Sequence, residues 1–184
     1  MTPIIRIWLA FAAIGAALIH FAIGAGAPLP LAITLAGFGA AELGWGVATL
    51  IRGSLLAPKV TLFAALIPIF AWGATATLGS GFGLHGEATG LPFFPMAVAS
   101  LFNIFLAGTL AVIQRHATNR SETTDAAGTT QGWRFLTALI VGGALFSGLT
   151  TPALAATDAG KYAVPHGSHS IPGEEFPGVE HATH

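Results

Sequence analysis

Residues 3–52 read PIIRIWLAFAAIGAALIHFAIGAGAPLPLAITLAGFGAAELGWGVATLIR. Two long apolar runs, about Pro3–Ala25 and Leu29–Ile51, flank the break GAGAPLP. Gly and Pro punctuate helices, so the break reads as a turn. A hydrocarbon layer about 30 Å thick takes roughly 20 apolar residues per helix, and each run meets that length. The stretch therefore predicts a hairpin of two membrane helices. Three more runs follow at about Val60–Leu78, Leu91–Ile113 and Phe135–Ala155, divided by GSLLAPK, by GSGFGLHGEATGLP and by the polar stretch QRHATNRSETTDAAGTTQG. The expected fold is all-α, a polytopic integral membrane bundle of five transmembrane helices.

Composition agrees. Of the 184 residues, 53% are hydrophobic and 8% charged, against about 25% charged in a soluble domain. A net charge of −1 offers no basic face for phosphates, so nucleic acid is not an expected partner. With no cysteine and two methionines, thiolate metal sites, disulfides and thioether-rich copper(I) sites are excluded. No nucleophile–base–acid constellation and no phosphate-cradling loop is present, so an intrinsic enzyme is not expected.

Orientation follows from the basic residues. Arg6, Arg52, Lys59, Arg115, Arg120 and Arg134 fall to one side of the spans and Lys161 alone to the other. The positive-inside bias then puts the N-terminus in the cytoplasm and the C-terminus outside a cell membrane. On this reading 1–116 is a four-helix transmembrane region, 117–134 a cytoplasmic polar linker, 135–156 the fifth helix and 157–184 an extracytoplasmic tail. Within the first region, LPLAITLAGFGAAELGWGVATLIR and LPFFPMAVASLFNIFLAGTLAVIQR both open on Leu-Pro and close on arginine. This pairing admits either a duplicated helical hairpin or ordinary membrane composition. The fifth span also ends in small residues at Ala153 and Ala155, the layout of a signal-peptide cleavage site placed internally.

The tail, HGSHSIPGEEFPGVEHATH (166–184), holds His166, His169, His181 and His184 in two pairs spaced three apart, with Glu174, Glu175 and Glu180 between them. Imidazole and carboxylate donors of this kind suit copper(II) or zinc. His85, beside Glu87 in the loop, and His20 in the first span could extend such a ligand set. A hydrophilic tail with incidental histidines, or a strand docking on another subunit, would account for the same residues.

Glu42 and Asn103 are polar groups expected near the middle of the bilayer, with Ser147 in the same layer. An acid at that depth costs about 2.5–3.5 kcal/mol on insertion scales, so it should face the bundle interior. There it could share hydrogen bonds as a neutral group, handle a proton or cation, or meet a partner. Counting residues from Pro28 puts His20 about 9 Å from Glu42 along the axis, which argues against a direct pair and for successive stations on one path. His20 bound only to backbone or interfacial water is the plainer alternative. Haem is not expected, because no second histidine lies at matching depth. Trp8 and Trp133 fit interfacial anchors, and Trp45 and Trp72 fit packed positions. Two functions emerge: handling of a transition-metal ion at the membrane, or a non-catalytic accessory subunit of a larger membrane complex such as a respiratory assembly.

Overall fold

The computed structural model describes residues 3–81, 91–119 and 132–162. His85, Glu87, Arg120 and the four tail histidines lie outside the described residues. Among the described residues there are five α-helices: α1 (Pro3–Gly26), α2 (Leu29–Arg52), α3 (Pro58–Gly81), α4 (Phe93–Asn119) and α5 (Gly132–Ala155). All five are long and apolar enough to cross a membrane. Helices suit such a solvent because every interior backbone N–H and C=O finds its partner within the same segment.

Local signals set the boundaries. Pro30 sits in the first turn of α2, where a missing N–H is harmless. Gly53 closes the same helix at φ 65, donating its N–H to the Thr49 carbonyl. α4 continues to Asn119, past the apolar run that ends near Ile113 and into the stretch read as linker. Hydropathy marks what is greasy, whereas a helix continues until Gly, Pro or a cap stops it.

Side-chain contacts fix the ends. Arg6 Nη1 donates to the Gly53 carbonyl, Trp45 Nε1 to Leu56 O at 2.8 Å, Gln114 Nε2 to Pro58 O at 3.1 Å and Trp8 Nε1 to Ala138 O at 2.9 Å. Together they bring Arg6, Arg52, Lys59, Arg115 and Arg134 to one end of the bundle, here called the basic end. At the other end Asp158, in the turn after α5, lies against Gly26 of α1. There Thr157 is fully buried, its hydroxyl bonded to Leu154 O and to the Gly160 N–H. Ala153 is fully buried too, whereas Ala155 is exposed, and both lie within the helical turn that ends α5.

α1 is the hub. It packs on α2, α4 and α5, while α3 packs on α4 and barely meets α2. Ala and Gly along α1 permit this. A methyl group added at Gly15 would meet the Phe102 ring at 2.7 Å and Thr150 Oγ1 at 3.0 Å. Added at Gly39 or Gly46 of α2, it would meet Ala17 O or Ala10 O at 3.1 Å. Backbones that approach so closely need small residues at the seam. Phe102, Phe105, Trp8 and Phe11 gather around Phe146 in tilted and edge-on contacts with centroids 5.3–6.4 Å apart. Trp8 of α1 thus packs on α5, whereas Trp133 is 67% exposed.

Candidate functional site

Three helices meet at one carboxylate. His20 of α1 is fully buried, as is Asn103 of α4 at 1% exposure, and the Glu42 side chain of α2 is 11% exposed. Glu42 Oε2 lies 2.7 Å from His20 Nδ1, and Glu42 Oε1 accepts from Asn103 Nδ2 at 2.9 Å. The contact with Asn103 matches the layer expected from the sequence.

The contact with His20 overturns the expectation that the two residues lie too far apart to pair. The helix seam explains it. Gly24 faces Ala32 and Leu35, Gly39 faces Ala17, and Gly46 faces Ala10 and Ile14. That register sets His20 level with Phe38, whose ring is 6.4 Å away, and Glu42 one turn beyond, about 6 Å along the axis. Side chains lean toward the N-terminus of their own helix. In an antiparallel pair His20 therefore leans toward the basic end and Glu42 away from it, so the two converge across that turn. Residue counting from the loop ignores this lean.

Ser147 does not join them. It sits exposed on α5, lining a groove against α1 with Gly15 and Thr150.

His20 Nε2 is buried with no hydrogen-bond partner among the described residues; in the tautomer that donates Nδ1–H to Glu42, it presents a lone pair. Asn103 Oδ1 is likewise buried without a partner among them. Buried polar atoms normally find partners, so these two atoms are the unexplained chemistry of the site. A histidine whose Nδ1–H is held by a carboxylate is a familiar arrangement for ligation through Nε2, since the carboxylate fixes the tautomer and the ring's orientation. Glu42 itself orients His20 through Oε2 and Asn103 through Oε1. Among the described residues no group of three or more His, Cys, Asp or Glu could hold a metal by itself. His20 would be one ligand, and His85 and the tail histidines that could supply others lie outside the described residues.

Beside the carboxylate lies a cavity of about 180 Å³, in the half of the bundle toward the basic end, walled by Phe38, Glu42, Trp45, Ala64, Asn103 and Leu106 among others. Nothing in the sequence pointed to it, because it exists only where α2 and α3 fail to close over α4. No known protein family, curated protein or solved structure matches this chain.

Proposed function

We propose that this chain binds a transition-metal ion, copper(II) or zinc, at a membrane. His166, His169, His181 and His184 capture the ion at the extracytoplasmic face, His85 assists, and His20 receives it within the bundle. The observation that carries this reading is the His20–Glu42 contact, which holds Nδ1 and leaves Nε2 open. It assigns Glu42 the task of orienting His20.

The test is metal titration of the full-length protein in lipid nanodiscs at neutral pH. Micromolar or tighter binding of copper(II) or zinc is expected, weakened by replacing the four tail histidines with alanine and again by His20→Ala. Binding should also fall below about pH 6, as imidazoles protonate and lose the lone pair the metal needs. Absence of saturable binding in the wild type would refute the reading.

A specific observation favours a second reading, the accessory subunit. Ala36, Gly37, Ala40 and Gly44 form an exposed small-residue strip on α2, and nothing lies within 4 Å of a methyl group built at Gly37 or Gly44. Membrane helices approach one another on such strips. Copurification with a stable larger complex, broken by replacing Gly37 and Gly44 with leucine, would support this role over metal capture.

A further inference from the structure

The cavity beside Glu42 combines features that select a ligand class. Its wall presents the Glu42 carboxylate and Asn103, whose Oδ1 is a buried acceptor with no partner among the described residues. These groups accept, so the ligand must donate. No lysine or arginine pairs with Glu42 among the described residues, and its one ion-pair partner is His20. Among the described residues lysine and arginine are therefore absent from the carboxylate's surroundings, and the low-dielectric wall strengthens its attraction for any cation that enters.

The rest of the wall decides which cation. A hard inorganic ion takes about six or more oxygen ligands, and this wall is nearly all hydrocarbon, with Ala13, Ala65 and Leu106 behind the polar pair. Phe38 and Trp45 line the same space, and aromatic faces attract organic cations. The volume of about 180 Å³ slightly exceeds an engineered apolar cavity of about 150 Å³ that takes up benzene. The mouth lies between α2 and α3, where Ala41, Val60 and Ala64 are exposed, so access is lateral, along the apolar flank of the bundle.

We infer that this cavity is a binding site for a lipophilic ammonium ion with an aromatic or short alkyl substituent. Its N–H groups donate to Glu42 and Asn103 Oδ1, and its apolar part lies against Phe38 and Trp45. The site shares Glu42 with the metal reading but uses neither His20 Nε2 nor the tail.

Benzylammonium is the probe, titrated into the full-length protein in nanodiscs, with empty nanodiscs reporting partition into lipid. Saturable binding is expected at least tenfold tighter than that of benzyl alcohol, its neutral analogue. Glu42→Gln should weaken it at least tenfold. Ala64→Phe, which plugs the mouth without touching the polar triad, should abolish it. Replacing the four tail histidines should leave it unchanged, which separates this site from metal capture. Equal affinity for the alcohol, uptake no greater than in empty nanodiscs, or full binding by the Ala64→Phe protein would each overturn the assignment.

Discussion

α1 and α3 are both apolar helices of 24 residues, yet 61% of the most apolar stretch of α1 is buried in the bundle and only 11% of that of α3. Apolar character alone does not separate them. Side-chain size does: α1 carries Ala10, Ala12, Ala13, Gly15, Ala16 and Ala17 in succession, and all are buried. α3 instead exposes Val60, Phe63, Ile67 and Phe70. In lipid a large apolar side chain is as comfortable outside as inside, so the hydrophobic effect no longer sorts the helices. Close packing of backbones and shared hydrogen bonds sort them instead, and both centre on α1.

The sharpest way to break that contrast is to remove the acid gripping α1. Glu42→Leu leaves His20 Nδ1 and the Nδ2–H of Asn103 without their partner and should cost about 2–6 kcal/mol, at roughly 1–3 kcal/mol per stranded group. Denaturant unfolding in mixed micelles would measure it. Gly15→Val, which drives a side chain into Phe102 and Thr150, should cost about 1–3 kcal/mol by overpacking. Gly73→Val on α3, with nothing within 4 Å of an added methyl group, should stay within about 0.5 kcal/mol. If those two glycine variants proved equally destabilising, α1 would not be the hub. Asn103→Leu removes a single interhelical hydrogen bond and should cost about 0.6–1.7 kcal/mol.

The smallest effect belongs to the turn after α5. Asp158 holds the Lys161 ammonium at 2.6 Å, and that hydrogen bond, with the charge behind it, raises the Lys161 pKa above its ordinary value of 10.5. A raised pKa means the contribution is fully present at neutral pH and is lost only as pH climbs through the folded value. Asp158→Asn should therefore return the lysine titration toward its ordinary value, seen by NMR of the Lys161 side chain. The melting temperature at neutral pH should stay the same, because exposed pairs contribute little.

The five helices were legible because spanning length and apolar runs are local properties. Sorting of basic residues to one end was legible too, since hairpins alternate direction and each turn carries its charges with it. Counting residues could place Asn103 in the layer of Glu42, but it places Ser147 there equally, and only Asn103 makes the contact. His20 could not be paired with Glu42 this way, because its contact depends on helix register and on the opposite lean of side chains in an antiparallel pair.

From the sequence alone come five apolar helices, their approximate limits, the charge asymmetry and the polar residues that had to face inward. Each depends on a residue and its neighbours along the chain. Only the tertiary structure decided that α1 is central, that His20 and Asn103 converge on one carboxylate, and that a cavity opens between α2 and α3. Those features come from backbones packing closely wherever glycine and alanine permit, and that arrangement involves several helices at once.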